Sequence, residues 1–231
     1  MRDRRTRKDA SNGHGPAARA RGRAERGRVR QPERTRNRIL AAATDAFSAA
    51  GLGGARVDSI ARAAGVNKRM LYHYFGNKEA LFLAVLERAY EKIRSEESAL
   101  RLEDLAPAEA MRRLVRFTFD YFVDNQDFVA LLNSENLHRA RHIRRSPRVT
   151  SINSPVIGIL ERLLRRGRAD GVFRGGVDAV QLYISIAGVA YFYFSNIHTL
   201  STIFARDLNS RRALAERRRH IIDVILGYLR P

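Results

Sequence analysis

Val57-Asp58-Ser59-Ile60-Ala61-Arg62-Ala63-Ala64-Gly65-Val66, followed at once by Asn67-Lys68-Arg69-Met70-Leu71-Tyr72-His73-Tyr74-Phe75-Gly76-Asn77-Lys78-Glu79-Ala80-Leu81, is the stretch from which the rest of the chain is read. In its first half Val57, Ile60, Ala61 and Ala64 are apolar at helical spacing, and Gly65-Val66 breaks the pattern. Asn67 suits the cap of a second short helix over residues 68–74, with Leu71 and Phe75 inward and Lys68, Arg69 and His73 polar. Upstream, Ile39, Leu40, Ala43, Phe47 and Ala50 share one face of a helix that starts at Thr35 and is placed to end at Gly51. Three short helices, the last two joined by a tight glycine turn, make a helix-turn-helix.

Such a motif lays its second helix in the major groove, with exposed residues at base edges and neighbours on phosphates. The exposed face here offers Lys68, Arg69, Met70, Tyr72 and His73. Arg69 suits a bidentate contact to guanine, Met70 a thymine methyl, and Lys68 a phosphate or a base. Lys78 opens the next helix, where free amides and an ammonium group both face a phosphate. Any three-helix bundle has polar residues on a short third helix, so spacing alone leaves a structural role open. Charge adds to the DNA reading: 43 Lys and Arg against 24 Asp and Glu leave a formal +19 over 231 residues, which points to a polyanionic partner. Arg outnumbers Lys 39 to 4, a ratio that a GC-rich coding background also produces, so only the charge is used.

An apolar share of 45% is enough for one sizeable core or two small ones, and 29% charged residues exclude a multi-span membrane protein. The absence of Cys excludes disulfides, zinc-thiolate sites, iron-sulfur clusters and thiol nucleophiles, and fits a reducing cytosol. No Gly-x-Ser-x-Gly elbow, dinucleotide fingerprint, P-loop or His-Glu-x-x-His is present, so an enzyme is not expected. Residues 1–33 carry almost no large apolar side chain and are expected to be a disordered basic tail without a secretory signal. Up to Arg34 they hold 12 basic and 4 acidic residues, suited to following a DNA backbone or simply to keeping the chain in solution.

Beyond Leu81 every periodic segment is helical, at about 77–94, 107–124, 128–142, 151–169, 177–195 and 210–229. The fold class is therefore all-α, with a helix-turn-helix domain over 34–80 and a helical domain over 81–231. Residues 179–205 are uncharged and long enough for a membrane span, but Gln181, Ser185, Gly188, Ser195 and Asn196 interrupt them. A helix apolar on most sides also suits an oligomer core, where Ser185 and Gly188 permit close approach, so no membrane is expected.

The leucine-tyrosine-any-tyrosine-phenylalanine core of residues 71–75, with Lys78-Glu79 at this spacing, resembles the DNA-binding domain of the tetracycline-repressor (TetR) family over residues 35–90. The resemblance implies a cytoplasmic, homodimeric one-component transcription regulator, usually a repressor, which binds a palindromic operator in double-stranded DNA and holds a small-molecule inducer in its C-terminal helical domain. It places Lys68, Arg69 and Met70 on bases, Tyr72, His73 and Lys78 on phosphates, and Leu71, Tyr74 and Phe75 in packing. It also implies a four-helix dimer interface from residues 177–195 and 210–229 of each subunit. Arg56 departs from the family's usual Thr or Ser cap, a loss of ~1 kcal/mol that Asp58 in the first turn partly offsets.

The inducer pocket is expected among residues 107–195. Phe117, Phe119, Tyr121, Phe122 and Phe128 suit its walls or ordinary core, with Asp120, Tyr183 and Tyr191 as further candidates. Glu135, Asn136 and His138 are candidates for hydrogen bonds to a ligand. Glu135, His138 and His142, at i, i+3 and i+7, share a helical face in the Glu-x-x-His spacing of some metal sites, but a di-iron bundle needs a second such motif. No cofactor is expected. Two alternatives remain: a basic protein that coats DNA without sequence preference, and a helical metal-dependent enzyme around Glu135 and His138. Two arginine clusters, at 139, 141, 144, 145 and 148 and at 211, 212, 217, 218 and 219, are read as solvated surface, the first able to steer an anionic inducer.

Overall fold

A computed structural model describes residues 16–231, with side chains from Gln31 onward except Ser154. The described residues form ten α-helices, two short 3-10 turns and no strand: α1 (Pro16–Gly54), α2 (Val57–Ala63), α3 (Lys68–Phe75), α4 (Lys78–Ser98), α5 (Pro107–Asp124), α6 (Gln126–Leu137), α7 (Pro147–Ala169), α8 (Ala179–Ser195), α9 (Ile197–Ile203) and α10 (Arg211–Leu229). The all-α expectation holds. Most helix starts lie where their caps lie in the sequence. Asn67 Oδ1 accepts from the Met70 amide at 2.7 Å, Asn77 Oδ1 from the Ala80 amide at 2.7 Å, and Asp178 and Ser210 cap α8 and α10 in the same way. Asn67→Ala should therefore cost the helix-turn-helix head ~1 kcal/mol, read as a lower melting temperature with unchanged helicity.

Between α2 and α3 the chain turns on Gly65, whose φ of 62° lies in the left-handed region that favours glycine. The Val66 amide donates to Ala61 O and the Gly65 amide to Arg62 O, both at 3.0 Å, a Schellman closure. As expected, α2 has no side-chain cap at Arg56. Asp58 instead pairs with Lys68 at 3.1 Å, tying α2 to α3.

Helix α1 departs from expectation at its start. It runs from Pro16, so residues 16–33 are helical where a disordered tail was expected; residues 1–15 lie outside the described residues. Ala and Arg are strong helix formers, and once Ile39, Leu40, Ala43 and Phe47 are buried, extending the helix needs no new nucleus. A kink at Gly51 marks its functional end, as the sequence suggested.

Two apolar clusters make the core. The first holds Ile39, Ala43, Phe47, Ile60, Leu71 and Phe75 of the helix-turn-helix, but it also takes Leu81, Phe82, Val85 and Leu86 from α4 and Leu131 from α6. Packing thus crosses the expected division at residue 80, because a three-helix head this small buries too little apolar area alone. The second cluster gathers α5, α7, α8 and α10 around residues such as Met111, Phe119, Leu160, Leu182, Ala190 and Ile225. Among the described residues no single helix is long and apolar enough to cross a membrane; α8 and α9 reach that length only together, and they are bent by 68°.

Helix α6 is the clearest correction. It stops at Leu137, five residues before the expected end, with Arg139 and Ala140 at φ 55° and 57°. The Arg139 amide donates to Asn136 O and the Ala140 amide to Glu135 O, a closure normally made by glycine. The buried carboxylate of Glu135 holds the turn: Oε1 accepts from the His142 and Ile143 amides at 2.8 and 2.9 Å, and Oε2 lies 2.6 Å from His142 Nδ1.

Candidate DNA-reading face and ligand cavity

Helix α3 presents Lys68, Arg69, Met70, Tyr72 and His73 to solvent, and buries Leu71 and Phe75 with Tyr74 half-buried. Met70 and Tyr72 are 41% and 38% exposed, so both offer apolar surface on this face. Two of the six candidate DNA contacts already have internal partners. Lys68 is held by Asp58, whose hydrogen bond and charge raise its pKa, and the Lys78 ammonium donates to Gly53 O at 3.3 Å. Among the described residues no ion pair or side-chain hydrogen bond engages the exposed Arg69.

The ligand candidates divide. Asn136, Tyr183 and Tyr191 line one cavity of about 240 Å³ between α4, α5, α6 and α8. Phe122 and Phe128 line it too, whereas Phe117, Tyr121 and Phe119 are not among its lining: Phe117 and Tyr121 meet at a tilt with ring centroids 5.8 Å apart, and Phe119 packs on Phe194. Burial pushes the Tyr121 hydroxyl up, and that of Tyr90, on the cavity wall, up to about 12. Asp120 is not a cavity residue: it accepts from Arg218 of α10 at 3.0 Å. Glu135 is occupied by the turn it caps, and His138 is exposed past the end of α6. The expected helical face of Glu135, His138 and His142 does not exist, because the helix ends first. Among the described residues no group of three or more His, Asp or Glu side chains is placed to hold a metal.

The second arginine cluster divides: Arg211, Arg212 and Arg219 are exposed as expected, Arg212 beside Glu216, whereas Arg217 turns inward and donates to Val189 O at 2.9 Å and Arg218 pairs with Asp120. In the first cluster Arg148 pairs with Glu91 of α4, while Arg139, Arg141, Arg144 and Arg145 are exposed.

Sequence reasoning missed two polar groups of the cavity, Arg94 and Glu97 on α4. Arg94 Nη1 donates to Glu97 Oε2, and Nη2 donates to the Tyr183 hydroxyl at 2.8 Å. A signal was available: Leu86, Tyr90, Ile93 and Glu97 recur at helical spacing, so an acid sits in an apolar stripe. Ending α4 at residue 94 put that acid outside the helix.

Residues 39–85 match the signature of "Bacterial regulatory proteins, tetR family", and residues 107–225 match "Tetracyclin repressor-like, C-terminal domain". The chain belongs to the tetR family. It is 41% identical to the HTH-type transcriptional repressor NicS of Pseudomonas putida, over 88% of this chain and 96% of NicS. Among solved structures, a putative transcriptional regulator SCO4942 from Streptomyces coelicolor superposes with a TM-score of 0.63 at 28% identity, covering 85% of this chain and 99% of that one. The FadR regulator of Bacillus subtilis in complex with stearoyl-CoA shares the fold, with a TM-score of 0.62 at 16% identity over 83% and 98% of the two chains. As a tetR-family member the protein is a DNA-binding transcription regulator and not an enzyme.

Proposed function

We propose that this protein is a cytoplasmic, homodimeric one-component repressor whose two α3 helices read a palindromic operator and whose grip is released by a small molecule in the α4–α8 cavity. Helix α6 carries the reading. On one side it lines the cavity with Phe128, Leu132 and Asn136. On the other it enters the head, where Leu131 is buried and Ser134 Oγ accepts from the Leu52 amide at 3.3 Å. A ligand that favours one placement of α6 thereby favours one placement of the head, and releases DNA in proportion to that preference. In the bound state the two reading heads sit about 34 to 36 Å apart, or a multiple of that spacing.

Within the head, Arg69 and Met70 take base edges, Tyr72 and His73 phosphates, and Lys68 and Lys78 exchange Asp58 and Gly53 for DNA. Arg69→Ala should relax specificity at one operator position, at a cost of roughly 1–3 kcal/mol for the preferred base, whereas Lys78→Ala should weaken all sequences alike and flatten the salt dependence. Unchanged ranked site preferences in Arg69→Ala would remove that side chain from base reading.

The deciding experiment binds the purified protein to fragmented DNA of its own genome at ~150 mM salt with excess competitor. Enrichment of one palindromic site is expected. Binding without any enriched site, fading as salt rises, would instead make it a coating protein.

A further inference from the structure

The cavity wall combines Tyr90, Phe122, Phe128, Tyr183 and Tyr191 with a single ion pair, Arg94–Glu97. Both partners are nine-tenths or more buried in their side chains, at 10% and 5% exposure. A guanidinium has five N–H donors. Among the described residues Arg94 makes side-chain hydrogen bonds through Nη1 and Nη2, and its buried Nε, though the guanidinium lies over the Tyr183 ring, has no hydrogen-bond partner. Such an orphaned donor is costly in a folded protein and marks a place where another group belongs. Glu97 meets Arg94 through Oε2.

We propose that the cavity takes a small planar carboxylate, whose oxygens engage the Arg94 guanidinium in place of Glu97 while its ring lies among the aromatic side chains. This rests on the ligand-responsive reading above and names the ligand's class. Three observations favour it. A planar guanidinium fork matches a carboxylate in two hydrogen bonds, which would use the idle Nε. The cavity, about 240 Å³, has room for one substituted ring. A surface of net charge +19 draws anions toward the molecule.

Charge balance dictates a consequence. The free cavity holds one positive and one negative group, and a second carboxylate would leave a buried negative charge uncompensated. The balance is restored if the displaced Glu97 takes a proton from solvent. Burial already pushes Glu97 up from the usual carboxylate range, against the pull of Arg94. The other titratable groups lining the cavity are hydroxyls, Tyr90 on α4 and Tyr183 and Tyr191 on α8; α5 and α6 contribute Thr118, Phe122, Phe128, Leu132 and Asn136. Glu97 is therefore the proton acceptor. The bound state carries one more proton than the free state, so binding strengthens as pH falls and weakens as pH rises.

Calorimetric titration of the full chain with benzoate and with its neutral isostere benzamide tests this, in buffers of differing ionisation heat. Benzoate should bind at least ~tenfold more tightly than benzamide, with uptake of about one proton. Glu97→Gln should bind benzoate more tightly and lose both proton uptake and pH dependence, the opposite of what a merely structural Glu97 would give. Arg94→Gln, checked for retained helicity, should lose benzoate binding. Benzamide binding as tightly as benzoate, benzoate binding indifferent to Arg94→Gln, or no proton uptake would each overturn the proposal. Thr118→Phe, which fills the cavity without any ligand, separates the two levels. Weakened operator binding in that variant without benzoate binding in the wild type rejects the carboxylate alone; neither effect rejects the ligand-responsive reading as well.

Discussion

Ile184→Glu combined with Phe192→Glu should convert the protein to a monomer in solution and weaken operator binding by ~100-fold or more. Along α8, Val180, Ile184, Gly188 and Phe192 follow one another at four-residue steps, and the three large side chains are 46%, 55% and 58% exposed. Such a stripe is poorly suited to water and is rimmed on α10 by the exposed Val224 and Tyr228. If a second copy covers it about a two-fold axis, each introduced carboxylate faces its own image, and four like charges meet in an apolar seam. The loss in DNA affinity follows from linkage: once one head is bound, its partner is at high effective concentration, an advantage of roughly 10²–10⁴ that a monomer lacks. Sedimentation and a DNA titration on the same preparation check it. A variant that stays dimeric, or a monomer that binds the full operator as tightly as the parent, would place the interface elsewhere.

Glu135→Ala should destabilise the fold by about 3 kcal/mol, near the lower end for breaking a buried charged network. Its carboxylate serves two backbone amides and an imidazole nitrogen, all buried or half-buried. Arg139 and Ala140 sit in left-handed backbone that costs ~1–2 kcal/mol each and would lose the clasp that holds them there. For a chain of this size the melting temperature should fall by roughly 6–12 °C. Glu135→Gln keeps one acceptor oxygen and should lose less. Because His142 packs edge-on against Phe82 at 5.2 Å, the lost order should reach the start of α4, visible as faster amide exchange there.

The same turn shows what a sequence does and does not disclose. α2, α3 and α5 are bounded by local chemistry, such as Asn67, Gly65 and Pro107, and their limits are read to within a residue. Residues 136–142 contain no helix breaker, so periodicity carries α6 to His142; what stops it is a carboxylate folded back from one turn earlier. The helical 16–33 segment fails in the opposite sense, since composition without apolar residues suggests disorder while the buried face after Ile39 supplies the nucleus. The exposed face of α3 proposed to read DNA is legible because one helix displays it. The cavity is not, because it exists only where four helices meet, and Arg94 with Glu97 looks like an ordinary surface pair until Tyr183 of α8 closes over it.

Leu131 has a consequence for how such a protein is varied. Since one residue of α6 completes the core of the head, that head is not a cassette that ends where α4 begins. A chimera that exchanges residues up to about 80 for those of a relative, to redirect the sensor to a new operator, would bring a foreign surface against Leu131 and Ser134. Working hybrids should be those whose crossover either transfers the matching face of α6 or preserves the small and apolar groups at Ala43, Phe47 and Leu52 that receive it. Recombination within the lineage is thereby channelled: exposed side chains of α3 can change one at a time, but wholesale replacement of the head must carry part of α6 with it.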